Sequence, residues 1–208
     1  DFEGLVIQRI NAITGQTFVS SRNKFEALQS RDAAVETSGA VRTVAVSLMK
    51  IANDLRLLSS GPATGFAEIE LPAVQPGSSI MPGKVNPVMA ECLDMIAFQV
   101  VGNDLTVSLA VQAGQLELNV MTPIVMHNIL QSIQILTNYL PVFTKKCVKG
   151  IAADEKRCSA YVEKNPSLAV FLSPHIGYLK ASRVAQQALK EGRSVKEIAV
   201  EKGLLTKQ

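Results

Sequence analysis

From Val88 to Val111 the chain runs without a proline, and its apolar residues do not keep to a single helical stripe. Ala90, Ile96, Ala97, Val100, Val101, Leu105, Val107, Leu109 and Ala110 spread over more than one face. A surface helix carries one apolar stripe, whereas a helix apolar most of the way round has to be surrounded. The segment therefore demands a bundle of long helices with more apolar surface than one chain covers, and predicts a multi-subunit assembly. Two further segments agree. Between about Asn23 and Ser59, Phe25, Leu28, Val35, Val41, Val44, Leu48, Ile51, Leu55 and Leu58 recur at helical spacing with no proline before Pro62. Gly39 inside this run reads as a close helix contact, and Ser60-Gly61-Pro62 as a stop. A third helix is expected from about Asn119 to Val148, interrupted or kinked at Pro123 and bent again at Pro141.

After Ile151 the pattern shortens. Asp154 is placed to cap a helix to Lys164, Ser173-Pro174 to start one that reaches Gly192, and Ser194 to cap a last one over Val195 to Lys202. The reading is all-α, with a central helical-bundle domain at 1–150, partial at its N-terminal side, and a small helical domain at 151–208. The interior is aliphatic: 47% of the 208 residues are hydrophobic, only 5% aromatic, and Trp is absent. A net charge of +3 with scattered basic residues gives no footprint for nucleic acid or an anionic membrane. Ser194 to Ala199 is followed by no basic recognition helix, and no uninterrupted apolar span of membrane length stands out. Cys92, Cys147 and Cys158 lack metal-ligand spacing and read as packing residues in a reducing, cytoplasmic setting. His127 reads as a packed or hydrogen-bonded residue inside the third helix, and His175 follows a proline at a domain junction. Neither has a second ligand at metal-binding spacing.

The chemistry concentrates in Gly77-Ser78-Ser79-Ile80-Met81-Pro82-Gly83-Lys84-Val85-Asn86-Pro87, which puts two hydroxyls, an ammonium and an amide on a loop between helical segments. Glycines at both ends let its backbone N–H groups approach an anion. It is not a phosphate loop, because five residues separate the glycines instead of four and Val85 stands where a Ser or Thr is needed to hold magnesium. Pro87 fits the first turn of the helix that follows.

These eleven residues closely resemble the signature of the fumarase/aspartase superfamily, whose members cleave C–N or C–O bonds to release fumarate. Asn23-Lys24-Phe25-Glu26-Ala27, Lys50-Ile51-Ala52-Asn53-Asp54, Gly102-Asn103-Asp104, Glu117-Leu118-Asn119 and Pro174-His175-Ile176-Gly177-Tyr178 extend the resemblance along the chain. It implies the long-helix fold of that family, a homotetramer with composite active sites, a small dicarboxylate substrate and no cofactor. The chain resembles only the second half of such a subunit, so a preceding half is expected and this chain alone is expected to be inactive.

Elimination from a small dicarboxylate abstracts a weakly acidic proton alpha to a carboxylate, so stabilising the developing dianion is the larger task. Lys84 offers positive charge, Asn86 an amide donor, and the loop N–H groups further donors, with Ser79 beside them in the substrate-binding set. The resemblance makes Ser78 the base, which a serine can be only if backbone donors and Lys84 favour its alkoxide. The other reading of Ser78 and Ser79 is that they satisfy backbone groups in a turn. In relatives a glutamate matching Glu91 pairs with a histidine of another subunit; a carboxylate there is also simply stabilised by the helix dipole. Ala63-Thr64 stands where relatives usually carry an arginine. Leu57-Leu58-Ser59-Ser60, Pro87-Val88-Met89, Ala113-Gly114-Gln115-Leu116, Thr137-Asn138 and Gly203-Leu204-Leu205-Thr206 lean toward aspartate ammonia-lyase. Asn23 to Ala27, His127-Asn128 and Leu130-Gln131-Ser132 lean toward fumarate hydratase. The balance favours the former.

Overall fold

The computed structural model describes residues 1–205, so Thr206 lies outside the described residues. The chain is all-α: helices α1 (Phe2–Thr14), α2 (Lys24–Gln29), α3 (Asp32–Leu58), α4 (Val88–Gln112), α5 (Thr122–Lys146), α6 (Glu155–Lys164), α7 (Ser173–Ile176), α8 (Tyr178–Glu191) and α9 (Val195–Glu201). Sheet is confined to two residue pairs, where β1 (Ile69–Glu70) runs antiparallel to β2 (Ala152–Ala153), with Ile69 opposite Ala153 and Glu70 opposite Ala152. Contacts gather the chain into two compact units, residues 1–53 with 88–144, and residues 54–87 with 145–208.

In the first unit α3, α4 and α5 pack through small and branched residues. Ala45, Ala97, Val100 and Leu136 form one core, and Val107, Ala110, Val125 and Ile129 another. Fully buried alanines at 45, 52, 90 and 97 let helix backbones approach closely. Asn103, buried in α4, donates to Gln131 Oε1 and Ser132 Oγ, both at 2.9 Å, and accepts from Gln99 at 2.8 Å. Arg42 pairs with the buried Asp104 at 2.9 Å. By length and composition alone α4 is long and apolar enough to cross a bilayer, which the sequence reading did not expect. Its buried face nevertheless carries Asp94, Asn103 and Asp104.

The helix expected from Asn23 is broken. Asn23 caps α2 through Oδ1, Ser30 turns extended (φ −79, ψ 142), and α3 begins only at Asp32. Arg31 fills the break by donating to Ala27 O (2.8 Å), Ser30 O (2.7 Å) and Thr122 Oγ1 (3.2 Å), so carbonyls freed at the end of α2 find a cation. Pro123 does not interrupt the third helix. It stands in the first turn of α5, where a missing N–H costs nothing. Pro141 does lie inside α5. Asn119 joins the flanking helices with one side chain, its Nδ2 donating to Ala110 O and Val111 O while Oδ1 accepts from Met121 N. Gly39 marks no close contact, since a Cβ there would meet nothing within 4 Å. His127 is exposed instead of packed.

α4 is covered only in part. Met95, Phe98, Leu105 and Leu109, between 53% and 61% exposed, repeat at three- and four-residue steps with Gly102 between them. On α5, Met126, Leu130 and Ile133 do the same.

In the second unit Ala169, Leu172, Ala181, Val184, Ala188, Val195, Ile198 and Ala199 build the core. Gly177 (φ 80, ψ 155) divides the expected single helix into α7 and α8, a conformation that a helix cannot contain. Ser194 caps α9 as the sequence foresees, and Glu197 completes a reciprocal capping box that it did not single out. Cys147 is buried, and burial pushes its thiol up from the ordinary range; Cys92 and Cys158 are half-buried, and all three are free.

Candidate active site

The loop at 77–87 is built by three restraints. Gly77 N–H donates to Lys84 O at 2.8 Å, Asn86 Nδ2 donates to Gly77 O at 2.8 Å, and Gly83 turns left-handed at φ 78. Gly77 is needed for clearance: a Cβ there would lie 2.5 Å from Lys84 O and 3.1 Å from Asn86 N, both backbone atoms. The closed loop walls an open cavity of about 490 Å³ lined by Ala73 to Pro76, Ser78 and Met81 to Val85. That volume lies within the range of small-molecule sites.

Inside the loop the Ser78 hydroxyl oxygen accepts from the N–H groups of Ile80 and Met81, each at 3.2 Å. This is a turn motif, and it is also the arrangement the base role needs. Two backbone donors aimed at one oxygen favour its charged form over its neutral one. Both lone pairs of the neutral hydroxyl are thereby engaged, and only the alkoxide has a further one to offer a substrate proton. Lys84 is exposed and makes no salt bridge among the described residues, so its ammonium faces the solvent that a carboxylate would replace. Ser79 is exposed on the same loop. Asn86 is half-buried, and one of its two amide protons holds the loop shut.

Ser78, Ser79, Lys84 and Asn86 thus share one short segment of the second unit. Glu91 belongs to the first unit, in the opening turn of α4, half-buried. Among the described residues no group of three or more His, Cys, Asp or Glu is placed to hold a metal ion.

The segment before the loop is held by residues that sequence reasoning did not single out. Arg157 donates to Pro62 O (2.8 Å), Gly65 O (3.1 Å) and Phe66 O (3.2 Å), and Tyr161 Oη donates to Phe66 O (3.1 Å). The partners are more than ninety residues apart in the chain, beyond the reach of any local pattern.

The all-helical scaffold and its glycine-hinged Ser-Ser-Lys-Asn loop match known lyases. The family described as Lyase matches residues 1–102, and the one described as Fumarase C C-terminus matches residues 168–208. Aspartate ammonia-lyase of Helicobacter pylori is 49% identical over 208 residues, which cover all of this chain and 44% of that protein. Class II fumarate hydratase of Staphylococcus epidermidis is 49% identical over 206 residues, covering 99% of this chain and 45% of that protein. The crystal structure of fumarate lyase:delta crystallin from Brucella melitensis superposes with a TM-score of 0.92 at 48% identity, covering 98% of this chain and 46% of that one. Class II fumarase from Schistosoma mansoni gives 0.83 at 40% identity, covering 97% and 44%. The chain belongs to the fumarase/aspartase superfamily of lyases, and it spans somewhat under half the length of the curated relatives it matches.

Proposed function

We propose that the intact protein containing this chain eliminates ammonia reversibly from L-aspartate to give fumarate. The observation that carries the chemistry is Ser78 Oγ held between two backbone N–H groups on the loop that also bears Lys84. In the reaction Ser78, as alkoxide, takes a proton from the carbon alpha to one carboxylate. The electron pair moves into that carboxylate as an aci-dianion, which the Lys84 ammonium stabilises. Collapse of the dianion forms the C=C bond and breaks the C–N bond, so that ammonia leaves. Asn86 and Ser79 supply further donors to the carboxylates. The resemblance adds Glu91, at the start of α4, to the catalytic set.

Assembly belongs to the same proposal. Exposed apolar residues at heptad spacing on α4, with a matching row on α5, support a helical-bundle homotetramer whose active sites draw on more than one subunit. The fragment alone is expected to be inactive. Identity to aspartate ammonia-lyase and to class II fumarate hydratase is the same 49%, which keeps hydration of fumarate to malate as the second reading. The segment Leu57 to Ser60, without the tryptophan that hydratases tend to carry there, favours aspartate. The test is ultraviolet absorbance of the fumarate double bond with the intact enzyme. A rise with L-aspartate is expected; turnover of malate alone moves the assignment to the hydratase, and turnover of neither removes both.

A further inference from the structure

We propose that Arg157 is a positioning residue for the signature loop, acting through a clamp on the arc at 60–67; this rests on the lyase reading of that loop. Asp154 caps α6 by accepting from Arg157 N–H at 2.9 Å, which sets Arg157 in the first turn of the helix. Its guanidinium then donates to three carbonyls of a five-residue arc, those of Pro62, Gly65 and Phe66. No carboxylate pairs with it among the described residues, so its charge faces main-chain dipoles. A planar fork with five donors can bridge several oxygens at once, which a lysine ammonium on a flexible stem does less well.

The arc needs an outside hold. Residues 60–67 contribute no cation of their own. Ala67 adopts a left-handed φ of 46, uncommon and strained for a residue other than glycine. A Cβ at Gly65 would run into the Ser60 carbonyl, which shows how tightly the arc is curled. From there the fastening continues without a gap: Asp154 N–H donates to Glu68 O at 2.9 Å, β1 pairs with β2, and Pro72 fills the space beside Gly150. The next residues, Ala73 to Pro76, are already the wall of the catalytic cavity. The chain entering the loop is therefore set by α6 and the strand before it. Misplacing a reacting group by about an ångström costs on the order of 10²-fold in rate.

The test compares Arg157→Ala and Arg157→Lys with the parent in the intact enzyme. Expected are a kcat lowered about 10²-fold by Ala and about 10-fold by Lys, with KM changed less than about threefold, the pattern of lost transition-state alignment. Hydrogen exchange at the Gly77, Ile80 and Met81 amides should accelerate at least about tenfold, while the Ala181 and Val184 amides in the helical core keep their protection. Unchanged exchange in the loop overturns the proposal. So does a normal kcat per assembled enzyme with only the yield of folded protein reduced. If the parent turns over neither aspartate nor malate, the lyase reading fails, and loop exchange still decides whether Arg157 holds the loop.

Discussion

Replacing Gly77 by alanine tests whether the loop geometry is catalytic. The added Cβ would lie 2.5 Å from Lys84 O and 2.8 Å from Lys84 C, where ordinary contact begins at 3.4 Å. Both obstacles are backbone, so the segment at 84–86 has to retreat by about 0.9 Å to clear the nearer one. That displacement stretches the two 2.8 Å bonds across the loop, Gly77 N to Lys84 O and Asn86 Nδ2 to Gly77 O, beyond hydrogen-bond range. Overpacking costs about 1–3 kcal/mol and each lost bond about 1 kcal/mol, so the closed loop loses about 3 kcal/mol or more. At 1.36 kcal/mol per tenfold, kcat/KM of the intact enzyme should fall at least about 10²-fold. The cores lie elsewhere, so the melting temperature should move little. Gly83→Ala is the control, because Gly83 has φ 78 but open space around it. It carries only the left-handed penalty of about 1–2 kcal/mol and should be the milder change. Both are read by fumarate absorbance. A Gly77→Ala enzyme within about threefold of the parent, or a Gly83→Ala enzyme more damaged than it, would refute the argument.

Ser78→Ala should lower kcat at least about 10²-fold with KM little changed, whereas Lys84→Ala should damage both; near-normal kcat in the serine variant would put the base elsewhere. Phe98→Glu with Leu105→Glu should leave the chain helical by circular dichroism but abolish assembly in sedimentation, and an unaltered oligomer would show that this face of α4 is not an interface. Because burial raises the Cys147 thiol, the folded state holds its proton more tightly than the unfolded chain does. Its contribution to stability is therefore complete below the ordinary thiol range and is lost as pH rises through the folded-state value. Denaturation midpoints should decline on the alkaline side, less so in Cys147→Ala. Iodoacetamide should label Cys92 and Cys158 before Cys147, and the reverse order would contradict the burial.

What the sequence made legible follows physical range. The long helices could be read because burial imposes a period on neighbouring residues, as in α4, and the caps at Asp154 and Ser194 could be read because they act within three residues. The breaks could not. Ser30 is compatible with a helix interior, and what ends α2 there includes a guanidinium received in part by Thr122, far along the chain. Gly177 sits in a helical pattern that tolerates glycine, and only its φ reveals the corner. In the candidate site, the residue types at 78, 79, 84 and 86 singled out the loop. The two N–H groups on Ser78 and the amide hook of Asn86 are loop geometry, which composition does not encode.

Both compact units are discontinuous in the chain, and this orders events during synthesis. Residues 60–87 leave the ribosome well before β2 and Arg157, with all of α4 and α5 made in between. Helices form from neighbours in microseconds or less, whereas contacts across such a separation must first close a long chain loop. The set geometry of the signature loop is therefore among the last features a growing or refolding molecule acquires, and protection of its amides should lag behind the helical signal. A nascent chain halted after Lys146 already holds every side chain of the signature loop and nothing of β2 or α6 to set it in place.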